Sequence, residues 1–203
     1  MLPERQGRGR GWWDQMRACY RPDSTVALSW YRGDGPGFVA ASEAMSGRGD
    51  RSVHRLSPPV GGTAHRADQL QTARIVGDRA FAETPTGIEV RTDVDGVTAD
   101  LVSYTRLVHP PRAPPRAPPR TTRRRRGIVA LDCVYERHTL PPAAPGRAGP
   151  GRHIALAPED LAPHRPPYAL LTWHPARRGY AVAADLLGDD QLERTAAFYA
   201  ATL

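Results

Sequence analysis

Between Asp68 and His109 the chain reads DQLQTARIVGDRAFAETPTGIEVRTDVDGVTADLVSYTRLVH, and apolar and polar residues alternate through it in three runs. A period of two puts successive side chains on opposite faces, so each run is a strand with one face for a core and one for solvent. Leu70, Thr72, Arg74 and Val76 share one parity before Gly77-Asp78 breaks the pattern. In the second run Ala80, Ala82 and Thr84 oppose Arg79, Phe81 and Glu83. Asp93-Val94-Asp95-Gly96 supplies a tight polar turn, with glycine where a positive φ is required. Ala99 to Val108 is the cleanest strand, β-branched and aromatic, without Gly or Pro. The sum is an antiparallel meander with one face to be buried.

The flanking sequence offers elements to cover that face. Trp12 to Tyr20 spaces Trp13, Met16 and Tyr20 as one side of a short helix, ended by Arg21-Pro22-Asp23-Ser24. Thr25 to Tyr31 alternates as a strand, and Gly33-Asp34-Gly35-Pro36 reads as a loop. Phe38 to Met45 reads as a helix stopped by Ser46-Gly47, and Ser52 to Leu56 as a short extended piece carrying His54. After His109 the repeat PPRAPPRAPPR, running on to Arg126, favours polyproline II and cannot join a sheet. Ile128 to Glu136 is again a strong strand, in which Val129, Leu131, Cys133 and Tyr135 are the expected core set. A Pro/Gly-rich segment follows, then two helix candidates, Tyr168 to Arg178 (interrupted by Pro175) and Asp189 to Leu203. In the last of these Leu192, Thr195, Ala196 and Tyr199 are expected to form one face.

Composition narrows the function classes. The net charge is +7, yet all 28 basic residues are Arg, and neither Lys nor Asn occurs. That bias points to a GC-rich coding sequence, which weakens the argument from basicity to nucleic acid. The Arg run at Arg123 to Arg126 has no interleaved aromatics on which bases would stack, and a solvated insertion is the preferred reading. No apolar run approaches the length of a membrane span, and the start MLPERQGRGRG lacks the apolar stretch of a secretory leader, so a cytoplasmic location is expected. Cys19 and Cys133 have no partner spacing and read as reduced thiols. The seven His residues show no ligand spacing, so no metal is expected. Gly33-Asp34-Gly35-Pro36-Gly37 is not a phosphate loop, because Pro stands where a backbone donor is wanted and no Lys follows.

The order helix, strand, helix, His-bearing segment and antiparallel meander, with the wording CYRPDSTVALSWYRGDGPGFVAASEAM, GDRAFAET and ADLVSYTRLVH, resembles the SnoaL-like branch of the nuclear transport factor 2-like superfamily. The resemblance covers roughly residues 12–140. It implies an α+β domain: a curved, mixed, mainly antiparallel sheet forming a cone, with helices on its concave side. The expected layout is a disordered 1–11, the cone domain at 12–140 with a disordered insertion at 110–126, a linker at 141–160 and a helical extension at 161–203. Only the last turns of the family's long opening helix are recognisable, around Trp12 to Tyr20, and the Pro/Arg tract replaces a short final hairpin.

The resemblance also implies a pocket and a pair of proton-moving groups. Asp23, near the first strand, and His54, after the helices, take the places of an Asp and a His that move a proton in lyase and isomerase members. A His oriented by a carboxylate suits proton abstraction beside a carbonyl. His65 is a weaker duplicate of His54. Tyr20 is a candidate donor to a substrate oxygen. On the clean strand Asp100, Val102, Tyr104 and Arg106 share a face, and Asp100, Tyr104 and Arg106 are expected to bind substrate if that face lines the pocket. The competing register turns Leu101, Ser103, Thr105 and Leu107 inward instead. The leading expectation is a SnoaL-like small-molecule pocket protein, a cofactor-independent lyase or isomerase acting on a hydrophobic cyclic or polyketide-like compound. The alternatives are a non-catalytic ligand-binding or homodimerisation module, and an Arg-rich nucleic-acid-associating protein.

Overall fold

The computed structural model describes residues 2–50, 52–56, 72–76, 79–110, 127–141, 143, 154 and 156–202. In chain order the elements are α1 (Leu2–Arg10), α2 (Trp13–Cys19), β1 (Tyr20–Leu28), β2 (Tyr31–Asp34), α3 (Gly35–Gly47), β3 (Ser52–Leu56), β4 (Thr72–Val76) and β5 (Arg79–Val94). They continue with β6 (Val97–His109), β7 (Ile128–Thr139), α4 (Pro158–Leu161), a 3₁₀ turn at Pro166–Tyr168, α5 (Ala169–Arg177), β8 (Leu187–Gly188) and α6 (Leu192–Thr202). The architecture is α+β around one mixed sheet with strand order β2-β1-β7-β6-β5-β3. β4 pairs with the first half of β5, and β8 pairs with β7.

The expected meander is the middle of this sheet. β5 and β6 pair without interruption from Ala82↔His109 to Val94↔Val97. Asp95 and Gly96 close the hairpin with φ of 52° and 80°, the two positive values that match a tight turn to the twist of its strands. The Asp93 carboxylate accepts the Gly96 amide at 2.8 Å and fixes the turn. β7 lies between β6, antiparallel, and β1, parallel, with Val26 opposite Leu131. α3 begins where Asp34 accepts the Gly37 amide at 2.6 Å with Pro36 in the first turn, so the expected loop at 33–36 is a strand end followed by a helix cap.

One apolar core lies between the sheet and α2, α3 and α5, where Met16, Phe38, Val39, Leu171 and Trp173 meet Val26, Leu28, Leu101, Leu107, Leu131 and Tyr135. Leu131, Cys133 and Tyr135 of β7 face it, as the pattern requires, whereas Val129 is half-buried and lies outside this cluster. A smaller cluster covers the other face, where Phe198 and Tyr199 of α6 pack on Phe81, Val108 and Val134. β7 therefore buries both parities, which is why IVALDCVYE reads as almost continuously apolar. The face expected of α6 is corrected accordingly: Phe198 joins Tyr199 against the sheet, while Leu192 is 74% exposed. Both cysteines are free, and burial pushes the Cys133 thiol up to about 12.

Two further expectations change. Residues 2–10, expected to be disordered, form α1, which Gly11-Trp12 joins to α2. The reason is local: α1 has no apolar stripe, but Glu4 and Arg5 are buried as partners, and Gly7 lets the helix approach α2 closely. A Cβ at Gly7 would stand 3.0 Å from both the Met16 nitrogen and the Trp12 oxygen. The C-terminal segment is likewise no appendage, because Tyr168, Leu170, Leu171, Trp173 and Leu186 belong to the main core. The Pro/Arg tract and most of the second Pro/Gly segment, expected to be flexible, lie outside the described residues, as does His65. Among the described residues no helix is long and apolar enough to cross a membrane.

The β7 register makes a direct prediction. Leu131 is fully buried, so Leu131→Asp places an unpaired carboxylate in the core. The expected loss is about 4 kcal/mol or more, a fall in Tm of about 10 °C for a chain of this size. A thermal melt that matches wild type would show that Leu131 does not face the core.

Candidate functional site

A cavity of about 70 Å³ opens between the sheet, α1 and the segment that begins with α5. The sheet supplies Leu28, Ile88, Val90, Leu107 and Tyr135 as apolar wall, with Ser52 and His54 from β3; α1 supplies Arg5 and Arg8. Leu171, His174, Pro175, Arg178 and Tyr180 close the far side. His54 is brought there because β3 pairs with β5 in a register that sets it beside Ile88.

The α1 end is built on charge. Glu4 is fully buried and takes both Nε and Nη2 of Arg5, and the Tyr20 hydroxyl donates to the same carboxylate at 2.9 Å. Burial alone would raise the Glu4 pKa, but Arg5, with the hydrogen bonds from Arg5 and Tyr20, outweighs it and holds Glu4 ionised. The third guanidinium nitrogen of Arg5, Nη1, is buried without a hydrogen-bond partner. Arg8 sits over the rings of Trp30 and Phe38 at 5.3 and 5.1 Å. Among the described residues it has no carboxylate at ion-pair distance. Burial, and then the neighbouring Arg5, pull its pKa down to about 9.

His54 faces these two guanidiniums. Its Nδ1 is buried and unpartnered. Burial, then Arg5 and Arg8, hold its pKa well below the ordinary imidazole value, so the ring is neutral at pH 7. At the opposite wall His174 Nδ1 lies 3.3 Å from the Thr92 hydroxyl. Tyr180 donates to Asp50 at 2.8 Å, and Asp50 is also ion-paired with Arg178. Arg48 covers the Tyr180 ring at 4.7 Å and donates to its hydroxyl.

Of the candidate site residues that lie among the described residues, only His54 lines this cavity. Asp23 is not brought to it: its carboxylate takes two hydrogen bonds from Arg21 at 2.8 Å on the surface, and the Arg21 hydrogen bonds keep its pKa low. Tyr20 is committed to Glu4 and acts as a clamp on α1 rather than a free donor. Asp100, Tyr104 and Arg106 lie on the opposite face of β6, since Ala99, Leu101, Ser103, Thr105 and Leu107 are the buried set. There Asp100 pairs with Arg91 at 2.8 and 2.9 Å, the Arg137 guanidinium stands 4.5 Å over the Tyr104 ring, and Arg106 bridges Glu83 and Glu136 at 2.8 and 2.6 Å. The apolar odd residues decide the register, because burying Asp100 and Arg106 instead would leave their charges without water. Arg5, Arg8, His174 and Tyr180 went unnoticed in the sequence. The first two stood in a stretch too polar to be read as a helix, and the last two in a segment set apart from the domain.

Among the described residues no group of three or more His, Cys, Asp or Glu stands where it would hold a metal ion. A scan of the chain against protein-family models gives no match, and a search of the curated proteins gives none either.

The buried imidazoles set a pH dependence. His54, His109, His138 and His174 are all held below the usual range chiefly by burial, His109 down to about 4. In the unfolded chain each binds a proton as pH falls through about 6.5, whereas the folded protein does not until lower pH. Their contribution to stability is therefore complete above about pH 6.5 and is lost as pH falls below it. The Tm is expected to drop between pH 7.5 and 5, and His54→Gln is expected to flatten that dependence by up to one proton, about 1.4 kcal/mol per pH unit. An unchanged slope in the variant would show that His54 titrates normally.

Proposed function

We propose that this chain is a small-molecule pocket protein of the SnoaL-like kind, holding a hydrophobic ligand between α1, the inner face of the sheet and α5. The observation that carries this reading is the cavity itself, with apolar walls and a few converging polar groups, the usual make-up of a ligand site. Ligand binding fits the polar groups better than the Asp/His proton relay. His54 has no carboxylate to orient it, and two guanidiniums oppose the imidazolium that proton abstraction would create.

A second reading, a cofactor-independent lyase or isomerase, is favoured by one feature. His54 is neutral, with an uncommitted ring nitrogen, and Arg8 lines the same cavity. A base beside a cation is the arrangement that removes a proton next to a carbonyl while stabilising the enolate.

Both readings are tested with a panel of cyclic ketones and polyketide-like aromatics against wild type, His54→Ala and Leu107→Trp, the last filling the cavity. Binding that is lost in Leu107→Trp supports the pocket. Turnover that falls at least 100-fold in His54→Ala, with binding retained, makes the protein an enzyme. Binding and turnover identical in wild type and His54→Ala would remove His54 from the site, and with it the acid/base reading.

A further inference from the structure

We propose that the ligand of this cavity is a monocarboxylate whose head group is received by Arg5 Nη1, Arg8 and His54 Nδ1. The inference rests on the pocket reading and gives it a ligand class. Its first support is hydrogen bonding. The Arg5 side chain is only 3% exposed, yet Nη1 has no hydrogen-bond partner; His54 Nδ1 is likewise buried and unpartnered, and both residues line the cavity. Buried donors are nearly always satisfied, and each one left open disfavours the empty state. A carboxylate has two oxygens and about four lone-pair sites, enough to accept from a guanidinium and from an imidazole in its Nδ1–H tautomer.

The second support is charge. Arg5, Arg8 and Arg178 line the cavity, Glu4 is committed to Arg5, and Asp50 to Arg178. Among the described residues Arg8 has no carboxylate at ion-pair distance; it stands over the faces of Trp30 and Phe38, and Glu4 acts on it only at longer range. Buried charges are ordinarily paired, and one uncompensated cation matches one negative charge. A phosphate dianion would reverse the imbalance rather than cancel it.

Size is the third support. The enclosed volume of about 70 Å³ is roughly half that of an apolar cavity known to hold benzene, about 150 Å³. It accommodates a carboxylate and a few carbons against Leu28, Ile88 and Leu107, while the rest of a larger ligand extends past the more exposed Arg178 and Tyr180.

The test compares charged and neutral isosteres. Butyrate and benzoate, with butyramide, benzamide and inorganic phosphate, are titrated into the full chain at pH 7.5 by calorimetry, with the His54 ring followed by NMR. The expected result is at least ten-fold tighter binding of each acid than of its amide, weaker binding of phosphate, and a shift of the His54 resonances on adding acid. Arg8→Met, checked for folding by circular dichroism, is expected to reduce the acid-over-amide preference at least ten-fold. Equal binding of acids and amides by wild type overturns the carboxylate assignment and leaves the pocket standing, and tighter binding of phosphate overturns the monoanion. Failure of all five probes to bind overturns both readings. An unchanged preference in a folded Arg8→Met overturns the role given to Arg8. The wild-type comparison decides the ligand class even if that variant does not fold.

Discussion

The buried pair of Glu4 and Arg5 holds the site together. α1 carries LPERQGRGR and cannot dock by the usual apolar stripe. What ties it to the rest of the chain is the Tyr20 hydroxyl of β1, which donates to the Glu4 carboxylate that Arg5 of the same helix pairs, plus a glycine that brings it against α2. Such a pair is poor evidence of net stability, because desolvation offsets much of the attraction. Removing one partner would strand a buried charge at a cost of about 3–5 kcal/mol, and the Tyr20 hydrogen bond to Glu4 is what gives the paired helix its seat. That seat sets Arg5 and Arg8 in the wall of the cavity. The interaction that docks the helix also sets the chemistry of the pocket.

The opposite face of the sheet uses charge differently. Midway along the β6–β7 pairing the register slips, so that Tyr104 stands opposite Arg137 while Thr105 stands opposite Tyr135. The additional residue, Glu136, is left beside Arg106, which it shares with Glu83. A bulge of this kind re-aims side chains without disturbing the strands on either side. The result is a half-buried Arg with two carboxylates near the seat of α6, complete in itself. The contrast with the cavity is instructive: Arg106 is saturated with acceptors and carries no demand for a ligand, whereas Arg5 and Arg8 are short of them.

What the sequence revealed follows from which physical signals are local. The meander, its Asp95-Gly96 turn, α2, α3 and the inward parity of Leu131, Cys133 and Tyr135 were legible, because period and turn chemistry act over a few residues. The register of β6 was also present in the sequence. Ala99, Leu101 and Leu107 were stronger evidence for the buried face than Tyr104 and Arg106 were for a polar pocket wall. α1 was hidden, because its seat depends on Tyr20, 16 residues from Glu4, and on Met16 and Trp12 against Gly7, and none of these pairings shows as a local pattern. The separation of Asp23 from the cavity was equally hidden: Arg21, two residues before it, satisfies it locally. Of the site, His54 was found because an isolated His draws attention in any sequence. Its guanidinium neighbours were not, because Arg is so common here that no single one stands out.

The electrostatics of the cavity link the two functional readings. Burial, then Arg5 and Arg8, disfavour a proton on His54, so the ring is a hydrogen-bonding group rather than a base. An anion seated between Arg8 and His54 would cancel part of that repulsion and raise the affinity of the ring for a proton. By linkage, protonation of His54 would tighten the anion by the same factor. A neutral carbonyl compound gives the ring no such help and meets a weak base. Basicity at His54 is therefore a property of the loaded pocket. On the proposed reading, the charge of a bound molecule would decide whether the site only holds it or also moves a proton on it.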